Sequence, residues 1–203
     1  MLITFEGIDG SGKSTQIEHL GRALKSASLP VSIFREPGGT PVSEKIRELL
    51  LHSATEIDPV TEILLFSAAR SQLVAGRIMN LLKQGEIVLL DRFYDSTTAY
   101  QGFGRNSLQL NDIRHLNRIA AHNIVPDLTF YLRIGYEEAE LRLGERVKDR
   151  MEGSGKEFYL KTILGFDEIS EREERIVVLD ATRPADEIHR AVVEKVREFG
   201  ISV

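Results

Sequence analysis

The sequence predicts an α/β domain of three layers, α/β/α, built on a five-stranded parallel sheet. Five short apolar runs, at 2–8, 31–35, 87–91, 128–134 and 176–179, are rich in Ile, Val, Leu and Phe with little polar alternation. That is the pattern of strands buried on both faces. Helical patterns alternate with these runs, so right-handed crossovers place helices on both faces of the sheet. Polar residues stand at the carboxyl ends of three runs: Gly7 to Ser14, Arg35-Glu36 and Asp91-Arg92. Ligands bind at those ends in open α/β sheets.

Composition narrows the possibilities. At 203 residues, with 42% hydrophobic and 28% charged side chains, the expectation is one soluble globular domain spanning 1–203. A net charge of −5 provides no general footprint for nucleic acid. The absence of Cys rules out disulfides and thiolate metal sites. No apolar run approaches the roughly 20 residues of a membrane span, and the chain enters a strand at once without a basic–apolar–small leader. The expected location is cytoplasmic, with neither nucleic acid nor membrane as a partner. The five His residues show no metal-ligand spacing.

The first strand leads into Gly7-Ile8-Asp9-Gly10-Ser11-Gly12-Lys13-Ser14, a match to G-x-x-x-x-G-K-[ST], and a helix over 14–26 follows. Strand, loop and helix in that order predict a phosphate-loop NTPase fold. The glycines let the backbone turn tightly and approach an anion, and its N–H groups cradle the phosphates at the positive end of the helix. Lys13 reaches the β- and γ-phosphates, and the Ser14 hydroxyl is a Mg²⁺ ligand. Gly7, Ile8, Asp9, Gly10, Ser11, Gly12, Lys13, Ser14 and Thr15 are the candidate nucleotide-binding residues.

The second strand ends in Arg35-Glu36-Pro37-Gly38-Gly39-Thr40-Pro41. Pro37 restricts Glu36 to extended geometry and the glycine pair allows a tight turn, so this segment either shapes a substrate pocket or is an ordinary βα loop. Pro41 suits the first turn of a helix over 42–51. Asp58 caps the next helix with Pro59 at its first position, and the pattern runs on over 60–83. Phe66 and Arg70 share one face of it. They can sandwich and hydrogen-bond a planar base, or be a core phenylalanine and a solvated stem. The third strand ends in Asp91-Arg92, the form of a second carboxylate on the Mg²⁺ side with a fork for phosphate beside it, or of a strand-end ion pair.

Hydroxyls and amides crowd 96–105, where Tyr100 and Gln101 could read a sugar and a base edge. Ser96 could equally be a helix cap and Gly102 to Gly104 a flexible turn. Asp127 reads as a turn residue opening the fourth strand. Arg142, Arg146 and Arg150 recur every fourth residue, one basic ridge on a helix. They are either a lid that closes over ATP or a solvated face paired with Glu138, Glu140 and Glu145. Gly153-Ser154-Gly155 supplies a break beside them, giving a lid segment at about 142–155. A helix from 156, the last strand, a ligand-side loop at 180–184 and a final helix complete the chain.

These pieces together resemble the thymidylate kinase family over essentially the whole chain. The resemblance rests on Phe5-Glu6-Gly7 to Thr15, Arg35-Glu36-Pro37-Gly38-Gly39-Thr40, Phe66-Ser67-Ala68-Ala69-Arg70, Asp91-Arg92-Phe93 with Ser96-Thr97-Thr98-Ala99-Tyr100-Gln101-Gly102, and Pro126-Asp127-Leu128-Thr129-Phe130-Tyr131-Leu132. It implies transfer of the ATP γ-phosphoryl to dTMP in dTTP biosynthesis, with ATP and Mg²⁺ required. In such a kinase Phe66 stacks on thymine, Arg70 bonds its edge and Thr97 lies near the base, with Glu36, Pro37 and Gln101 also at the substrate. Tyr100 lies where a 2′-hydroxyl would clash. Arg92 holds the dTMP phosphate, and Asp9 sits between the sugar 3′-hydroxyl and the metal–phosphate centre.

The resemblance further implies Ser14, Asp9 and Asp91 on the metal side, a cis Glu36-Pro37 bond, and a homodimer with the 60–83 helix in its interface. One subtype of the family carries a basic residue inside the phosphate loop. Gly10 stands there in this chain, which matches the other subtype, whose lid supplies Arg146 and Arg150 to catalysis and Arg142 to ATP. The helix after the lid, Lys161 to Phe166, is poorer in Arg and Tyr than relatives often are. The rival expectations are a kinase of the same fold for AMP, CMP or a deoxynucleoside, and a GTP-binding switch protein. Against the switch protein, none of the Asn residues is followed by Lys, and Asp91 is followed by Arg-Phe-Tyr.

Overall fold

The computed structural model describes residues 1–144 and 149–203. Its strands are β1 (Leu2–Glu6), β2 (Val31–Arg35), β3 (Ile87–Asp91), β4 (Leu128–Arg133) and β5 (Ile176–Asp180). All pair in parallel in the order β2-β3-β1-β4-β5. The five expected strands are present, each within two residues of its expected ends. The helices are α1 (Lys13–Ser26), α2 (Pro41–His52), α3 (Pro59–Leu73), α4 (Met79–Lys83), α5 (Tyr94–Thr97), α6 (Leu110–Ala120), α7 (Tyr136–Leu143), α8 (Lys156–Arg172) and α9 (Ala185–Glu198).

Strand pleating sorts the core into two layers. Ile3, Phe5 and Leu89 pack with Ile17, Leu20 and Leu24 of α1 and Val192 and Val196 of α9. Leu2, Val88 and Leu90 pack with Leu73, Val74, Ile78 and Phe93. The helix starts follow the sequence: Asp58 accepts from the Val60 and Thr61 N–H groups (2.9 and 3.1 Å), and Thr40 accepts from that of Ser43 (3.1 Å). Asp127 does more than turn the chain, since its carboxylate accepts the Leu2 N–H at 2.7 Å and ties down the start of β1.

The helical stretches depart from expectation in three places. The 60–83 pattern is α3 and α4 joined by a π-helical turn at Val74–Ile78. Ser96 caps nothing: α5 starts ahead of it, and Thr98–Gly104 is a π-helix that buries Tyr100 and Gln101 rather than a loose turn. Wide turns of this kind recur at functional sites. Arg142 and Arg150 do not share a helix, because α7 stops at Leu143, Gly144 takes φ 64°, and Arg150 sits in a turn. Glu145 and Arg146 lie outside the described residues.

Candidate active site

The phosphate loop shows why its glycines are needed. Gly7 and Gly10 have φ of 136° and 81°. A Cβ on either would come within 2.6 Å of a backbone carbonyl, that of Leu132 or Ala139. No side chain caps α1, so its first N–H groups face the pocket above the loop, as an anion requires. Lys13 donates to the carbonyls of Gly7 (3.0 Å) and Ile8 (2.9 Å) and to the Ser11 hydroxyl (3.4 Å). Burial, and then the nearby Arg92, bring its ammonium down to about 8.

The Ser14 hydroxyl donates to Asp91 at 2.9 Å, so the start of α1 and the end of β3 meet there. Both residues line the phosphate-side pocket with Arg142, Arg183 and Ile188. A hydroxyl and a carboxylate are hard oxygen ligands, and Mg²⁺ takes few protein ligands, filling its octahedron with water and phosphate. The residues therefore fit the ion.

Arg92 is the centre of the site. It has φ 70°, left-handed backbone that a non-glycine residue rarely adopts. Its guanidinium donates to the Gly7 carbonyl (2.9 Å), the Ser96 hydroxyl (3.2 Å) and Asp9 (2.6 Å), and lies 5.0 Å from the centre of the Tyr100 ring. Burial works to raise the Asp9 carboxyl, but Arg92 and Lys13 outweigh it and hold it at about 2. Tyr100 and Tyr159 add hydroxyl bonds to the other Asp9 oxygen, both at 3.4 Å.

Beside Arg92 opens a pocket with a volume of about 100 Å³. The sequence-predicted Asp9, Glu36, Pro37, Phe66, Arg70, Arg92, Thr97, Tyr100 and Gln101 all line it. Glu36 accepts from Arg70 at 2.7 Å, with both groups buried. Burial pushes the Glu36 carboxyl up to about 7 against the pull of Arg70. The second Glu36 oxygen and the Thr97 hydroxyl are buried without a hydrogen-bond partner among the described residues, which leaves them available to a ligand. The Glu36-Pro37 bond is cis.

The pocket and the phosphate-side pocket share Asp9, Glu36, Arg47 and Arg92. A group bound in one thus meets a group bound in the other across Arg92. The family model described as thymidylate kinase matches residues 5–192. The chain belongs to the thymidylate kinase family. It is similar to the thymidylate kinase of Chlorobaculum parvum, at 49% identity over 212 residues covering 99% of this chain and 97% of that one. It is 46% identical over 207 residues to that of Chlorobaculum tepidum, covering 97% and 96%. A crystal structure of thymidylate kinase from Ehrlichia chaffeensis matches its fold with a TM-score of 0.80 at 33% identity, over 97% of this chain and 98% of that chain.

Not every residue expected in a lid reaches the two pockets. Arg142 reaches the phosphate-side pocket, with Glu138 at 3.3 Å. Arg150 lines neither pocket. It pairs with the buried Glu62 at 2.6 Å and donates to the Leu50 carbonyl at 2.7 Å. Arg146 lies outside the described residues.

Four residues of the site carried no signal in the sequence. Arg47 donates to the Pro37 carbonyl at 2.9 Å and borders both pockets. Tyr159 comes from α8. Glu6 accepts from the Phe93 N–H (2.7 Å) and from Ser96, fixing the turn that carries Arg92. Burial, and then Asp95, push the Glu6 carboxyl up to about 8. Asn117 accepts from Arg70 at 3.5 Å.

Proposed function

We infer that the two joined pockets hold the donor and acceptor of one phosphoryl transfer, with Arg92 between them. The reaction is phosphorylation of dTMP by ATP, on the way to dTTP. The single observation that carries the placement is the shared border of Asp9, Glu36, Arg47 and Arg92. ATP lies with its phosphates over Gly7 to Thr15 and its tail toward Arg142 and Arg183. Thymine lies against Phe66, with Arg70, Thr97 and Gln101 at its edge and Tyr100 against the sugar.

The acceptor needs no strong base. The second pKa of a phosphate monoester is about 6, so dTMP is largely dianionic at neutral pH. One of its phosphate oxygens attacks the γ-phosphorus in line, and the bond to the β-phosphate oxygen breaks to release ADP. Positioning and charge neutralisation then carry the rate. Arg92 has the fork for this and is held by Gly7, Ser96 and Asp9. Lys13 exchanges its loop carbonyls for phosphate oxygens. Mg²⁺, held by Ser14 and Asp91 with Asp9 nearby, would neutralise charge on the β- and γ-phosphates when bound. Arg146 and Arg150 are proposed to act from a lid at about 142–155 once substrates bind, which requires Arg150 to leave Glu62.

Two further readings have structural support. Val42 and Leu49 on α2, Val60 and Leu64 on α3, and Ile119 on α6 are exposed apolar side chains, which supports a homodimer through α3 and its neighbours. No helix among the described residues is long and apolar enough to cross a membrane, consistent with a cytoplasmic enzyme.

ADP release from ATP with Mg²⁺, assayed against dTMP, dUMP, UMP, AMP and CMP, tests the acceptor assignment. Turnover is expected to be highest with dTMP and poor with UMP. Faster turnover with AMP or CMP would overturn the assignment and leave the donor site standing.

A further inference from the structure

We propose that a second pocket, backing onto the acceptor pocket, binds a small molecule with a planar apolar body and one anionic group, and that its occupant alters dTMP binding through Asn117. The pocket lies between the 94–103 segment, α6 and the end of α8, and has a volume of about 300 Å³. That is at the lower end of the size range of small-molecule sites. Tyr94, Phe103, Leu110, Ile124, Val125 and Ile169 give it aromatic and aliphatic walls.

Charge selects an anion. Four arginines line the pocket against three carboxylates, Asp95, Glu168 and Glu173. Arg175 is committed to Asp95 by two bonds of 2.8 Å, with Glu173 at 3.5 Å, and Arg172 to Glu168 at 3.0 Å. Among the described residues, Arg118 is held only by the Asn123 side-chain oxygen at 3.1 Å. Arg114 is exposed, with no hydrogen bond or ion pair among the described residues. The Arg175 Nε is buried and makes no hydrogen bond among the described residues, its one contact being Glu173 at 3.5 Å. Two uncommitted cations at the rim of an apolar cavity suit one sulfonate, carboxylate or phosphate on a flat hydrophobic body.

The coupling follows from a shared wall. Residues Phe93, Ser96, Thr97, Tyr100 and Gln101 face the acceptor pocket, while Tyr94, Asp95, Thr98 and Phe103 of the same segment face the second one. Asn117 lines the second pocket and is buried. It donates to the Thr98 hydroxyl (2.9 Å) and the Tyr94 carbonyl (3.2 Å) and accepts from Arg70 (3.5 Å). A ligand that draws on Asn117 or Thr98 therefore changes the hold on Arg70 one contact away. This coupling rests on the acceptor reading of Arg70. Binding at the pocket does not.

The probe is 8-anilinonaphthalene-1-sulfonate, whose fluorescence rises on entering an apolar site. It is titrated into the full chain, and dTMP affinity is measured by calorimetry with and without it. One saturable site is expected, unaffected by ADP and weakened about tenfold in Arg114→Glu, the loss of one charge-assisted contact. That surface variant keeps its circular dichroism and basal turnover. With the probe bound, dTMP affinity shifts by about fivefold or more, and by linkage dTMP shifts the probe by the same factor. The shift disappears in Arg114→Glu. Binding that Arg114→Glu leaves unchanged, full displacement by dTMP, or saturation without any shift in dTMP affinity would each overturn the proposal. If the chain bound no dTMP while probe binding stayed Arg114-dependent, the acceptor reading would be the one to fail and the pocket would stand.

Discussion

The phosphate loop and the proposed acceptor pocket share one sheet edge but are built by opposite means. The loop is a contiguous run whose work is done by backbone N–H groups, glycine conformations and a helix terminus. That pocket is assembled from side chains on the segment after β2, on α2, α3 and α5, and on the π-helix after α5, and charged pairs hold them: Glu36 with Arg70 and Asp9 with Arg92. A backbone device depends on a few conformations, whereas a side-chain device depends on every partner, because an unpaired buried charge is expensive. Changes on the two sides should therefore fail in different ways.

The largest expected effect is on the donor side. Lys13→Ala should lose about 10²–10³ in kcat with circular dichroism unchanged, the scale of removing one preorganised electrostatic donor. A loss of only a few-fold would mean that the loop backbone suffices. Next, Glu36→Gln should raise KM for dTMP about tenfold and lower Tm while leaving KM for ATP alone, since Arg70 keeps a hydrogen bond but loses its buried counter-charge. An equal change in both KM values would erase the distinction between the two sides.

The smallest effect is a pH limb. With its pKa brought down to about 8, Lys13 is charged below that pH and loses its proton above it. kcat/KM for ATP should then fall on the alkaline side near pH 8, while kcat, which reports the phosphate-bound enzyme, holds to higher pH. A flat kcat/KM profile to pH 10 would show that Lys13 does not feel its burial.

The same contrast explains what could be read in the sequence. The loop, the strand ends and the Asp58 and Pro41 helix starts are local patterns, and the structure has them where the sequence predicts. So are the segments that line the acceptor pocket, each recognisable on its own. What stayed hidden depends on distant partners. Nothing near Glu6 announces that it will accept from Phe93 and Ser96, and Tyr159 meets Asp9 only because α8 packs on the π-helix. Glu62 looks like an exposed helix charge until α3 buries it, which is why the arginine periodicity suggested a ridge rather than Arg150 turned onto Glu62. Glycine spacing alone did not reveal that Gly144 would end α7.

The central claim is that Arg92 serves both pockets at once. The most direct measurement is turnover of a folded Arg92→Ala protein at saturating ATP and dTMP. A kcat lower by about 10²–10³, with both substrates still bound, is the expected result. Wild-type kcat in a protein with native circular dichroism would contradict it and remove Arg92 from the transferring phosphoryl group.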